Sequence, residues 1–339
     1  MATHNDPARA AVTPSMARGI RVTPRLPEFV FDDTNLPEQW FADDVGITAA
    51  WNGLGVFANV AETLFVAAGR KLLARIDDPA VADETARFMQ QEAIHSAMHA
   101  RMNRCLAARG LPVEAARGFM QSLVDEAERR GGSAVFMALG LAGEQAIGEL
   151  AHAVLSEDAP MADAAEAPRA LFLWHFYEEV EHQAALHDGW EHVYGRGPDA
   201  RAMRVLGAAY AVTAIAVSMP ALAWAMVPAS RRGERWRGAT WGPALRQLLG
   251  DRGLLRGAAR NLRALPRLGF HPFDMHDPVS MLQRAKGFVQ GIPEAPTKAP
   301  RAGNAPTGEA PAVGPRDVAR CVGFVGWSVV RAARFMAAH

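Results

Sequence analysis

The chain is poor in cysteine: Cys105 and Cys321 are the only two in 339 residues. That excludes a disulfide scaffold, and in a reducing compartment neither is expected to pair. It lacks an excess of either charge, with 36 Lys plus Arg against 36 Asp plus Glu. A zero net charge gives no ground for a nucleic-acid partner, and none is expected. It lacks the low hydrophobicity of a disordered chain, because half of its residues are apolar. Its first 20 residues carry no apolar run and do not read as a secretory signal, so the expected location is the cytoplasm. Strand-like alternation and repeats of 20–50 residues are also missing.

What is present is helical periodicity. Pro24, Pro27, Asp32, Asp33, Asn35 and Pro37 mark residues 1–42 as an extended arm. From about residue 46 to 194, apolar residues recur at spacings of three and four. Asp77-Asp78-Pro79, Gly110-Leu111-Pro112, Gly131-Gly132-Ser133 (with Ser133 as N-cap), Pro160 and Gly195-Arg196-Gly197-Pro198 divide this stretch. The division predicts four long helices and a shorter one near 113–129, an antiparallel all-α bundle over 43–200.

Residues 205–229 contain no charge, a run longer than the ~20 residues that span a hydrocarbon core. Arg231, Arg232, Arg235 and Arg237 follow, with Trp224 and Trp236 nearby, as at a membrane edge. The other reading is a helix buried in a larger bundle. Arginines at 246, 252, 256, 260, 263 and 267 suit an amphipathic helix facing anionic phospholipid, or a solvated face. Residues 201–290 are thus expected as an apolar helix and a basic region, with 205–270 offered to the inner face of the membrane. Residues 291–339 read as a linker to about 316 and a terminal amphipathic helix from 317.

The chemistry-bearing residues lie in the bundle. Glu62, Glu92, Glu144 and Glu179 fall on its four long helices, each among apolar or small neighbours. An ionised carboxylate on an inner face is costly unless it is paired or binds metal. Glu-x-x-His sets a carboxylate and an imidazole one helical turn apart on one face. It occurs as Glu92…His95 and as Glu179…His182. The order Glu, Glu-x-x-His, Glu, Glu-x-x-His is the ligand plan of ferritin-like dinuclear carboxylate proteins. A further Glu-x-x-His, Glu149…His152, lies about 140° round the helix from Glu144 and is expected to face elsewhere.

His175 shares a face with Glu179 and His182 and is a candidate seventh ligand, with a core histidine as the other reading. His99 stands one turn after His95. Glu178 and Glu181 flank the motif; their expected role is to orient ligands or face solvent, and Glu178 replaces Glu179 if the helical phase is shifted.

At these residues the chain resembles the bacterial proteins described as predicted metal-dependent hydrolases of the ferritin-like superfamily. The matching stretches are PRLPEFVFDDTNLPEQW (24–40), FMQQEAIHSAMH (88–99), WHFYEEVEH (174–182) and Phe270-His271-Pro272, within a resemblance covering roughly residues 20 to 280. The family's Pro-x-Gly-Glu run is here Asn59-Val60-Ala61-Glu62, which keeps the carboxylate. The spacing of His175, Glu179 and His182 is also similar to that of dinuclear iron N-oxygenases of the p-aminobenzoate type. The resemblance implies a ferritin-like bundle with extra C-terminal helices, and oxygen chemistry among its reactions.

Three functions are therefore expected in order. The first is a dinuclear iron or manganese oxygenase or oxidase acting with O2 on a small or lipid-like substrate, because carboxylate-rich sites favour hard, redox-active metals. The second is a hydrolase in which two metals activate water. The third is a non-catalytic iron protein for storage, sensing or lipid binding.

The charge balance conceals two halves. Residues 205–339 carry 18 basic and 7 acidic groups, leaving 18 and 29 in residues 1–204. An acidic, cation-binding half precedes a basic one suited to an anionic surface.

Overall fold

A computed structural model describes residues 13–256, 264, 267, 269–297 and 310–339. Among them the secondary structure is helical, with isolated antiparallel bridges at Arg25–Glu294 and Phe41–Ala164 and no strand. A short turn of helix, α1 (Pro14–Ala17), precedes the bundle.

Helix α2 (Val45–Leu73) starts at Asp44, whose carboxylate accepts from the Ile47 N–H at 2.8 Å. Helix α3 (Pro79–Ala108) is capped in the same way by Asp78, with Pro79 in its first turn. Helix α4 (Val113–Val154) joins the expected short helix to the third long one. The break is there, but as a kink. Gly132, at φ 72° and ψ −175°, is the single non-helical residue, so the glycine rather than Ser133 interrupts the helix.

The expected fourth helix is also two. Helix α5 (Glu166–His182) ends directly after the second Glu-x-x-His, and α6 (Ala185–Tyr194) resumes two residues later. No glycine or proline marks this break, and for that reason periodicity missed it.

Helix α7 (Pro198–Ala225) contains Pro220 and lies against α2, α4 and α10 (Pro315–Ala338). Gly207 permits the close approach to α4: a Cβ there would stand 2.5 Å from both the Cβ and the carbonyl carbon of Ala138. Helices α4, α7 and α10 are each long and apolar enough to cross a membrane, and 44% of the most apolar window of α7 is buried by protein.

The basic stretch is not one amphipathic helix. A 3-10 segment (Ala229–Trp236) leads into α8 (Gly238–Leu249), and Gly250, at ψ 174°, ends it. Arg235 is buried and donates to the carbonyls of Ala225 and Val227, and Arg256 pairs with Asp158 at 2.8 Å. Arg260 and Arg263 lie outside the described residues. The start of the expected linker is likewise structured, because the Leu26 and Ala295 N–H groups donate to Pro293 and Pro24 across the Arg25–Glu294 bridge. Helix α9 (Pro278–Ala285) packs on α5.

The main hydrophobic core runs from Leu36, Trp40 and Phe41 of the arm to Phe335 of α10, and a small second cluster joins Ile20, Ala184 and Phe273. Trp40 stacks on Phe172 and donates through Nε1 to Asn52 at 2.8 Å. The arm from Phe29 to Phe41 is therefore part of the packed body.

Candidate metal centre

Helices α2, α3, α4 and α5 bring all seven candidate ligands into one volume. Glu62, Glu92, His95, Glu144, Glu179 and His182 are 0% exposed and His175 is 1% exposed. Nε2 of His182 lies 2.9 Å from Glu92, 3.1 Å from Glu144 and 3.3 Å from Glu179. Nε2 of His175 lies 2.7 Å from Glu179 and 3.5 Å from Glu62. Nδ1 of His95 faces Glu92 at 3.8 Å and Glu179 at 3.6 Å. Two overlapping sets result, Glu92–His95–Glu179–His182 and Glu62–His95–His175. Within each, one donor atom per residue lies inside 4.8 Å of the others.

These close approaches are not hydrogen bonds for most of the carboxylates. Both oxygens of Glu62, Glu92 and Glu144, and Nδ1 of His95, are buried without a hydrogen-bond partner. Leaving so many buried polar atoms unpaired is expensive. The donors converge on shared points in space, and that is the arrangement a cation needs.

Titration behaviour follows the same logic. Burial drives the Glu62 carboxyl well above its ordinary range, and neighbouring carboxylates add to this against the pull of His95. Burial pushes Glu144 up to about 8. For Glu179 burial acts in the same direction, but His182 and His175 outweigh it and hold the carboxyl low. Burial disfavours charge on His95, yet Glu178, Glu179 and Glu92 keep it protonated. A volume that shares protons this way without metal is suited to exchange them for cations.

A layer of side chains outside the ligands holds the imidazoles. Glu178 has both oxygens engaged, one 3.1 Å from Nε2 of His95 and one 2.8 Å from Arg25. Arg25 also forks onto Glu181, with bonds of 2.7 and 2.9 Å. Glu181 accepts from Gln91 at 3.1 Å, and the Gln91 amide oxygen lies 2.9 Å from Nδ1 of His182. One buried arginine thus reaches one imidazole through Glu178 and the other through Glu181 and Gln91. His99 backs His175, 2.9 Å from its Nδ1. Sequence reasoning missed Arg25 and Gln91. Arg25 lies in the 24–40 stretch and Gln91 directly precedes Glu92, so proximity to motif residues was the only signal. Glu149 and His152 face away, toward His276 and Gln183.

A family model described as "Predicted metal-dependent hydrolase" matches residues 23–276, three quarters of the chain. The chain belongs to this family. No curated protein and no solved structure is detectably similar to it. For this metal-dependent hydrolase family member, the matched region contains all seven buried donors as well as Arg25 and Gln91.

The matched region also holds a second group, His187, Asp188 and His271. Arg204 donates to Nε2 of His187 at 3.0 Å. Guanidinium cannot accept, so the imidazole proton sits on Nδ1, on the side facing Asp188. Asp188 in turn lies 3.1 Å from His271. The Asp188–His271 contact ties the 270–274 turn to α6, while Nδ1 of His187 and the second oxygen of Asp188 are buried without a hydrogen-bond partner.

Proposed function

We propose that the protein is a metal-dependent hydrolase whose helices α2 to α5 form a ferritin-like bundle around two cations. Glu62, His95 and His175 hold one, and Glu92, Glu144, Glu179 and His182 the other. Six carboxylate oxygens buried without hydrogen bonds carry this reading. Two cations held by these residues would supply polarisation of a carbonyl or phosphoryl group and a bound water of near-neutral pKa. Arg25, through Glu178 and through Glu181 and Gln91, fixes the orientation of His95 and His182 and favours ligation-ready tautomers. The apolar shell of Phe88, Trp174 and Phe172 excludes bulk water and strengthens each charge interaction. The test is cation content and turnover of an ester and amide panel with zinc or manganese under anaerobic conditions. Glu92→Ala and Glu144→Ala are expected to lose both; two cations retained by either variant overturn the site.

A second reading, oxygen-dependent oxidation, is favoured by one observation. The donors are four glutamates and three histidines, all on helices and all buried, a hard set that suits iron or manganese. Ferrous reconstitution followed by O2 admission separates the two. Stoichiometric O2 consumption accelerated by an organic substrate supports oxidation, and zinc-supported turnover with no O2 consumption supports hydrolysis.

We also propose contact with the cytoplasmic face of a membrane. Val318, Val322, Val325 and Val329 form an outward stripe on α10, each 40–66% exposed. Co-flotation with anionic phospholipid vesicles tests it, and Val322→Asp with Val329→Asp is expected to abolish flotation.

A further inference from the structure

Away from the metal centre, an open cavity of about 980 Å³ lies between α4 and α7, flanked on its third side by residues 254–256 and by side chains between Phe270 and Arg284. Its wall is mainly aliphatic, with Ala146, Ala211, Val212, Ile215, Phe270 and Met281. A large apolar hollow with a few convergent polar groups is the usual form of a small-molecule site.

The polar groups here are specific. His276 lies 2.8 Å from Glu149, and its ring stacks on His152 at 4.0 Å. Burial, with His276 beside it, pulls His152 down to about 4, so it is neutral at physiological pH. Its Nε2 meets the Gln183 amide oxygen at 2.9 Å. Gln183 is 4% exposed and lines the cavity, yet its Nε2 has no partner. A buried amide N–H without an acceptor is costly, and a ligand oxygen would relieve that cost. Gln183 directly follows His182, so one turn of chain carries an imidazole to the metal centre and an amide donor to the cavity.

The wall carries three acids, Glu149, Glu157 and Asp158, against Arg256 and Arg284, with Glu149 in contact with His276 and Asp158 with Arg256. An anion finds no surplus of positive charge, and an ammonium offers no acceptor to the Gln183 N–H. We propose that this cavity binds the apolar acyl part of a neutral ester or amide, whose carbonyl oxygen accepts a hydrogen bond from Gln183 Nε2. Its role as a substrate pocket rests on the hydrolase reading; its binding chemistry does not.

The experiment titrates the full chain, without added metal, with octanamide, octanoate and octylammonium by saturation-transfer NMR. Octanamide is expected to bind about tenfold more tightly than either ion. Val212→Trp, at a lining position already 43% exposed, fills the cavity and weakens octanamide at least about tenfold. Ala216→Trp, also exposed and lining, repeats that loss. Gln183→Leu removes the donor and costs roughly five- to tenfold. Unsaturable octanamide binding, octanoate binding as tight as octanamide, or tryptophan variants that bind normally overturn the proposal. Octanamide binding sensitive to Val212→Trp in a protein that takes up no cation would sink the metal reading and leave the pocket standing. Cation uptake without octanamide binding would do the reverse.

Discussion

His95 turns its Nε2 to a carboxylate oxygen of Glu178 at 3.1 Å while its Nδ1 faces Glu92 and Glu179. The imidazole is therefore held from outside by a residue whose other oxygen belongs to Arg25. Glu178→Gln keeps the shape but removes the charge that favours the Nε2 proton. Cation affinity is expected to fall about 10–100-fold, measured by titration calorimetry, with the helical content unchanged. Unaltered affinity would show that Glu178 has no part in orienting His95.

Arg25 carries more than orientation. Its side chain is 11% exposed, and burial opposes its charge, but Glu181 and Glu178 hold it protonated. Arg25→Met leaves the buried Glu181 without a counter-charge and Glu178 with His95 alone. A loss of about 3–5 kcal/mol in urea unfolding is expected. Arg25→Lys should recover only part of it, since an ammonium cannot fork onto Glu181.

Glu62 separates stability from binding. Neither of its oxygens has a hydrogen-bond partner, and burial raises its carboxyl far above the usual range. In metal-free protein, Glu62→Gln is expected to leave the melting temperature equal or higher, because nothing paired is lost. In wild type, cation addition should raise the melting temperature through binding to the folded state alone, and in the variant that rise should shrink. A lower melting temperature for metal-free Glu62→Gln would mean the carboxylate has a structural partner.

His152 sets a slope in stability against pH. Its pKa falls from 6.5 to about 4 on folding, through burial and then the neighbouring His276. Between those values the unfolded chain binds a proton that the folded chain does not, so stability declines as pH drops from 6.5 to 4. The loss amounts to roughly 3 kcal/mol and levels off below the folded value. His152→Gln should flatten that segment of the profile in denaturant titrations at successive pH values.

Gly207 tests the packing of α7 on α4. A methyl group there meets the Ala138 carbonyl carbon and Cβ at 2.5 Å, so the helices must part. Gly207→Ala is expected to destabilise the protein by about 1–3 kcal/mol in thermal or urea unfolding.

The helices, their order and the two Glu-x-x-His pairs are legible because helical spacing is local: residues three and four apart share a face whatever surrounds them. The capping aspartates Asp44 and Asp78 are legible for the same reason. The break after His182 was hidden, since it carries no glycine or proline and depends on how α5 and α6 dock on α3. The basic stretch misled because arginine spacing alone does not show that Gly250 ends the helix or that Arg235 and Arg256 turn back onto the protein.

The sequence by itself determined an all-helical chain with a carboxylate on each of four helices, because periodicity and residue chemistry act over a single turn. Only the tertiary structure decided that Arg25, from an arm more than 150 residues before Glu178 and Glu181, meets both of them, and that Gln183, in the wall of a cavity, carries a buried amide donor without a partner. Such contacts join residues with no local relation, and packing alone selects them.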